Sequence, residues 1–329
     1  MRLPYFDYHR PETLDELLKL KESVGSAAVV LAGGTDLVVN LRNRLLSPGV
    51  VVSLARLNKL REISVRDDAI IIGATTPLNR VAEHEETARY FPMLRSAVES
   101  IGAVSIQHFR GTLGGNVCSL PRCIFYNQSH FWRTGKGQCH RTGGRDCLAL
   151  PGSSSCQAIC SGDTVPVMAA LSTQVTVAAS GGSRMLPFAD LFSGKGESPL
   201  NITPQEIVTE FRIPLPWAPL STSYKRISLR SAVDFPLVNA ATAAIVEKGK
   251  VETIRVVLSA CGPSPIALKE LEALIKGNEP SRDMLPIVER TARQAAEGVI
   301  IGNAIVSKDY RIKMAGVVAK RSVAEALSL

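Results

Sequence analysis

The chain has 329 residues, 45% of them hydrophobic and 5% aromatic, and a formal net charge of +8. This composition excludes a disordered tail and a miniprotein, and no apolar run approaches the roughly 20 residues that a bilayer-spanning helix needs. The charged residues scattered through 1–18 leave no apolar stretch for a signal peptide, so the expected location is the cytoplasm, with reduced thiols and no membrane partner. Lysines and arginines are spread along the chain, and no helical pattern carries a basic face with interleaved aromatics, which argues against nucleic acid as a partner. An anionic cofactor is a better use of the positive charge.

In chain order, Thr13-x-x-Glu16 is a capping-box pattern followed by Leu14, Leu17, Leu18 and Leu20, which predicts a helix over 13–23. Residues 27–31 (AAVVL) read as a short buried strand, then come Ala32-Gly33-Gly34-Thr35-Asp36 and a helical stretch over 37–45. Glycines there let backbone N–H groups face a phosphate. The pattern is not GxGxxG, so a Rossmann site is not supported. A second strand (AIIIGATT), a helix over 92–101 and a second glycine cluster, Gly111-Thr112-Leu113-Gly114-Gly115-Asn116, follow. One glycine turn is explained by chain reversal alone, whereas two that flank strands suit the phosphates and sugar of a dinucleotide. Beyond the proline-rich 214–219, residues 240–246 and 251–260 read as a hairpin, and helical patterns cover 266–275, 284–296 and 310–327. An antiparallel sheet with helices on one face makes the fold α+β.

Six of the seven cysteines, Cys118, Cys123, Cys139, Cys147, Cys156 and Cys160, fall in one stretch. Metal ligation is the leading reading of such clustering in a reducing compartment. The spacing from Cys123 onward, C-x15-C-x7-C-x8-C, lacks the C-x2-C pairs of zinc ribbons and short ferredoxins, so spacing alone leaves zinc, an iron–sulfur cluster and incidental thiols open. Arg122, Arg133, Lys136, Arg141 and Arg145 stand against the single acid Asp146 here, which predicts a preference for thiolates.

The segments Leu31-Ala-Gly-Gly-Thr-Asp-Leu37, Ile72-Gly-Ala-Thr-Thr76, Thr112-Leu-Gly-Gly-Asn116, Gly162-Asp163 with Pro166, 206–214 and 225–234 together resemble the FAD-binding medium subunits of the molybdenum hydroxylases, the xanthine dehydrogenase and carbon monoxide dehydrogenase flavoprotein family. The resemblance implies a two-subdomain FAD-binding (PCMH-type) domain over 1–217, with subdomains 1–60 and 61–217 and an iron–sulfur loop insertion at about 120–160. A C-terminal antiparallel-sheet and helix domain, like that of the carbon monoxide dehydrogenase flavoprotein, would cover 218–329. It places FAD between the subdomains, against Ala32, Gly33, Gly34, Thr35, Asp36 and Leu37 on one side and Thr112, Gly115 and Asn116 on the other. Asp163 would accept a cofactor hydroxyl or cap the following helix. Lys225 would lie beside the isoalloxazine ring, with Arg226 as the alternative because the spacing to Arg230 differs by one residue.

More narrowly, residues 122–139 with Cys147 and Cys156 resemble the insertion of 4-hydroxybenzoyl-CoA reductase beta subunits, which most relatives lack. That implies a [4Fe-4S] cluster on Cys123, Cys139, Cys147 and Cys156, with Cys118 and Cys160 as buried thiols. It also implies a large molybdenum-cofactor subunit and a small subunit with two [2Fe-2S] clusters as partners, in a dimer of heterotrimers fed by a low-potential donor such as ferredoxin. The reaction implied is reductive dehydroxylation of an aromatic CoA thioester, with no catalytic residue on this chain. A flavin subunit of another molybdenum hydroxylase, a self-contained FAD oxidoreductase and a zinc-binding scaffold are the alternatives.

Overall fold

The strands assemble into three sheets; the first glycine loop leaves the end of a strand in the first, and the second lies between helical segments that follow a strand of the second. The computed structural model describes residues 2–302 and 305–329. In the N-terminal sheet, β1 (Asp7–His9), β2 (Ala28–Leu31) and β3 (Val50–Ser53) run parallel in the order β1-β3-β2. Helix α1 (Leu14–Val24) starts where the capping pattern predicts. The Thr13 hydroxyl accepts from the Glu16 N–H at 3.2 Å, and the Glu16 carboxylate reaches back one residue further, to the Glu12 N–H at 2.8 Å. Such a cap contributes about 1 kcal/mol. It aims Leu17 and Leu18 into a small core with Val52, Leu54, Leu57 and Ile207. Helix α2 (Leu37–Arg42) is shorter than its pattern suggested, because the chain turns at Arg44, whose φ is 54°.

The middle sheet is antiparallel, with strands β4 (Ile63–Val65), β5 (Ala69–Gly73), β6 (Gln174–Ala179), β7 (Gly182–Pro187) and β8 (Ile207–Pro214) in the order β4-β5-β8-β6-β7. Helices α3 (Leu78–Glu83), α4 (Glu85–Tyr90), α5 (Pro92–Glu99) and α6 (Leu113–Val117) lie between β5 and β6 in sequence, as do α7 (His130–Thr134) and α8 (Thr164–Ala170). The cysteine-rich segment runs from α6 to α8. It leaves the ladder between the strands intact and contains only one short helix, α7.

The C-terminal sheet orders its strands β12-β11-β10-β9, from β9 (Leu220–Ile227), β10 (Val238–Glu247), β11 (Lys250–Ser259) and β12 (Ile266–Ala267). Helices α9 (Lys269–Ile275), α10 (Leu285–Glu297) and α11 (Lys308–Ala326) complete it. The expectation of helices on one face needs correcting, because both faces of this sheet are covered. Val238, Ala240 and Ala244 join the core of the C-terminal helices, and Thr242 bonds Ser322 of α11 at 2.8 Å. Ala241, Ala243 and Val257 join the core of the middle unit, where α5 and α8 pack against the sheet. A strand buried on both faces reads as a continuous apolar run, and small side chains let elements approach from either side. The helix expected over 266–275 begins only at Lys269, since Ile266 and Ala267 pair with Leu258 and Val257 as an edge strand after Pro263 and Pro265.

Arg311 of α11 is the largest fully buried side chain, at 1% exposure. No carboxylate meets it among the described residues. Instead its guanidinium donates to the carbonyls of Leu237 at 2.9 Å, Ala260 at 2.5 Å, and Ile301. These close the ends of β10 and β11 and the turn before α11. Arg311→Met leaves three carbonyls without donors, and urea unfolding is expected to show a loss of about 3 kcal/mol or more. Unchanged stability would mean that water replaces the guanidinium.

Candidate functional site

The loop after β2 and the loop before α6 lie against one another. A β-carbon on Gly33 would fall on the carbonyl oxygen of Arg110, so glycine at this position allows backbone to touch backbone. Gly34 then takes φ +78°, in the left-handed region. The second loop is stitched to the GATT segment: the Gly114 N–H donates to the Ala74 carbonyl at 2.8 Å, Leu113 to Thr76 at 3.0 Å, and Leu78 to Gly111 at 3.0 Å. Thr112 caps α6 through the Gly115 N–H at 3.0 Å. Residues 31–38 are half-buried and Gly115 is exposed, so the seam between the loops faces outward.

Two observations fit this seam to a dinucleotide. Among the described residues, the N–H groups of Gly33, Gly34, Thr35 and Asp36 donate to no acceptor within the chain. The hydroxyls of Thr75 and Thr76 are buried without a hydrogen-bond partner. Successive free N–H groups form a concavity suited to a phosphate, and buried orphan hydroxyls are rare unless something else supplies their partner.

Asn116 and Asp163 exchange one expected role. The Asn116 Oδ1 accepts from the N–H of Thr164 at 3.2 Å and from its hydroxyl at 2.7 Å, so Asn116 caps α8, and Asp163 makes no cap bond. Asp163 does accept a hydroxyl hydrogen bond, from Tyr224 at 2.6 Å, and it pairs with Arg226 at 3.0 Å. Asn239 completes the group by donating to the Tyr224 hydroxyl at 3.2 Å. The strand period of two decides which cation of β9 faces this group. Tyr224 and Arg226 point toward Asp163, whereas Lys225, expected beside the flavin ring, faces the other way and pairs with Glu325 of α11.

Burial pushes the Asp163 carboxyl up to about 6 from an ordinary 3.8, against the opposing pull of Arg226 and Tyr224. Between those pH values only the unfolded chain has lost this proton, so stability falls as pH rises through the window and the cost is complete above about pH 6. In the flavin-free chain, Asp163→Asn is expected to remove a fall on the order of 2 kcal/mol between pH 4.5 and 7.5, read by urea unfolding. Parallel profiles for parent and variant would exclude this ionisation as the cause.

The cysteine segment is closed at its neck by a two-way bridge, Arg122 N–H to the Ile159 carbonyl and Ile159 N–H to the Arg122 carbonyl, each 2.8 Å. Beyond the neck, Cys123, Cys139, Cys147 and Cys156 line one small cavity, of about 10 Å³, together with Tyr126, His140 and Arg141. Cys118 and Cys160 lie outside that lining and pack with the middle core, where burial raises their thiols to about 12 and about 11. Three of the four cavity thiols receive hydrogen bonds. The Ala158 N–H donates to Cys156 at 3.4 Å, the Thr142 hydroxyl lies 3.6 Å from Cys139, and the N–H groups of Phe125 and Tyr126 point at Cys123. His140 is engaged through Nε2 with the Ser153 carbonyl at 2.9 Å.

Among the described residues, no three His, Cys, Asp or Glu side chains converge on a point that would hold a single metal ion. A tetrahedral zinc, with Zn–S near 2.3 Å, draws its sulfurs to within about 4 Å of each other. The expected bias toward thiolates is reversed in the metal-free chain: burial outweighs Arg141, raising Cys123 and carrying Cys156 to about 11.

Two glycine loops joined at a seam, with free N–H groups along it, define a nucleotide-binding flavoprotein fold. Residues 4–216 match the family described as the FAD binding domain in molybdopterin dehydrogenase, and residues 223–326 match the CO dehydrogenase flavoprotein C-terminal domain. The chain belongs to this family: it is an FAD-binding medium subunit of the molybdenum hydroxylase type, an oxidoreductase subunit. It is 24% identical to the caffeine dehydrogenase subunit beta of Pseudomonas sp. (strain CBB1), over 99% of this chain and 96% of that protein. It is 25% identical to the carbon monoxide dehydrogenase medium chain of Afipia carboxidovorans, over 98% of this chain and 96% of that one. In fold it is similar to reconstituted CO dehydrogenase from Oligotropha carboxidovorans, with a TM-score of 0.81 and 23% identity, covering 100% of this chain and 99% of that one.

Gly33→Ala is expected to part the two loops. Overpacking of this kind costs about 1–3 kcal/mol, equivalent to roughly ten- to hundredfold in FAD affinity. Flavin retained on gel filtration, with circular dichroism as the control for folding, measures it. Full retention would remove the seam from the site.

Proposed function

We propose that this chain is the FAD and [4Fe-4S] electron-transfer subunit of a multisubunit molybdenum enzyme, and that the substrate is transformed on a partner chain. The observation that carries the proposal is the meeting of Cys123, Cys139, Cys147 and Cys156 around one cavity, although as many as 15 residues separate neighbours in sequence. When bound, FAD supplies chemistry in one- or two-electron units. The residues of this chain do the holding: the N–H groups of 33–36 would receive the pyrophosphate, the hydroxyls of Thr75 and Thr76 would find partners on the cofactor, and Arg226 is the cation nearest Asp163. Arg141, whose guanidinium lies 3.7 Å from the Tyr126 ring centroid beside the thiols, would offset the charge of four cluster-bound sulfurs.

The relatives are named for substrates as unlike as caffeine, nicotinate and carbon monoxide, as expected if this subunit does not select the substrate. The resemblance of the insertion points to reductive dehydroxylation of an aromatic CoA thioester. The partners would be a large molybdenum-cofactor subunit and a small subunit with two [2Fe-2S] clusters, and the electron donor a low-potential ferredoxin. No described helix is long and apolar enough to cross a membrane.

Anaerobically purified chain is expected to contain about four irons and one FAD. Cys→Ser at 123, 139, 147 or 156 is expected to lose the iron and keep the flavin, whereas the same change at 118 or 160 keeps both. Iron retained in any of the first four variants would overturn the ligand set, and flavin with no iron in the parent would overturn the cluster.

A further inference from the structure

Arg122 joins three segments that are far apart in sequence. Its backbone closes the neck of the cysteine segment against Ile159, and the next residue is Cys123, the first of the cavity thiols. Its guanidinium pairs with Asp36, each side chain 25% exposed, and lies over the ring of Phe235 at 4.9 Å from the centroid. The other carboxylate oxygen of Asp36 accepts from the Asn40 amide at 2.9 Å, so both oxygens are engaged. Asp36 is also the last residue of the loop whose free N–H groups suit a pyrophosphate. An unpaired carboxylate there would repel that anion, and a nearby fixed cation offsets the repulsion.

The cation is held only as firmly as the segment that carries it. Apart from α7 that segment is loop, and a metal-binding loop takes much of its order from the metal. We propose that Arg122 is a positioning residue that couples the two cofactor sites. The loaded insertion holds the guanidinium against Asp36, which neutralises the carboxylate and keeps the loop over 32–37 in its FAD-receiving form. This rests on the cofactor assignments of the preceding section. Linkage makes the effect reciprocal: the cluster tightens FAD binding, and FAD protects the cluster, by the same factor.

The test uses full-length chain, freed of flavin and titrated anaerobically with FAD by flavin fluorescence, before and after oxidative removal of the cluster, with iron counted each time. In the parent, cluster loss is expected to weaken FAD binding about fivefold or more. Arg122→Gln is expected to bind FAD more weakly and equally in both states. Asp36→Asn removes the repelling charge along with its partner, so it should lose the coupling whatever its own affinity, and adding it to Arg122→Gln should restore affinity to the level of Asp36→Asn alone. That rescue separates charge neutralisation from a merely structural role, and Asp36→Asn reports the coupling by itself where Arg122→Gln does not fold. Undiminished coupling in either single variant, or no rescue, overturns the proposal. Four irons and FAD with independent affinities overturn the coupling alone, whereas FAD without iron overturns the cluster and the coupling together.

Discussion

A carbonyl oxygen occupies the place where a β-carbon of residue 33 would sit, and the geometry of the proposed flavin site follows from that contact. It brings the turn after β2 against the turn before α6, so a strand-end loop and a loop between helices share one seam. Because the seam is built from backbone, its polar edge is a row of N–H groups with no acceptors in the chain. The same backbone path ends at Asp36, which fixes the carboxylate that meets Arg122. Glycine acts here less by giving an anion room than by letting two chain segments touch.

The C-terminal sheet does for the middle unit what the seam does for the loops. Strand β10 gives one face to its own helices and the other to the middle unit, so the two parts share a continuous apolar core. Polar side chains at that boundary are gathered into groups, although the Asn239 Oδ1 is buried without a partner. Tyr224, Asp163, Arg226 and Asn239 form one such group, and the Cys160 backbone exchanges hydrogen bonds with Ala260 and Gly262 at the exit of the cysteine segment. The long segment between α6 and α8 therefore enters and leaves through anchored points, which is how the middle sheet carries it without a break in the ladder.

Elements with strong local signals were legible in the sequence. The Thr13 cap, the apolar run of β2 and the hairpin of β10 and β11 are each decided within a few residues. What the sequence hid was decided at long range. The cap of α8 is Asn116, from the far side of the insertion, so Asp163 beside the helix looked like the better candidate. Lys225 and Arg226 are both cations, and only the facing of β9 separates them. The covered outer face of β10 did leave a trace, in the run Ala240, Ala241, Ala243 and Ala244, since a sheet open to water on one side would alternate with polar residues. The placing of four cysteines around one cavity is written in no spacing rule, because loops set it.

Burial and charge compete over those cysteines. Counting arginines along the sequence suggests thiolates, yet a guanidinium stabilises a thiolate only from nearby, and Arg133 spends its donors on the carbonyls of Asn43, Arg44, Tyr126 and Gln128. Only Arg141 acts on Cys123 and Cys156, and there desolvation is the larger effect. A metal-free segment therefore keeps its protons, and any ligand that binds through sulfur must displace them, so its hold strengthens as pH rises. The arginines serve instead to fasten the segment. Arg133 ties it to the chain just beyond α2, and Arg122 ties it to Asp36 just before α2, so one short helix is gripped from the same insertion at both ends.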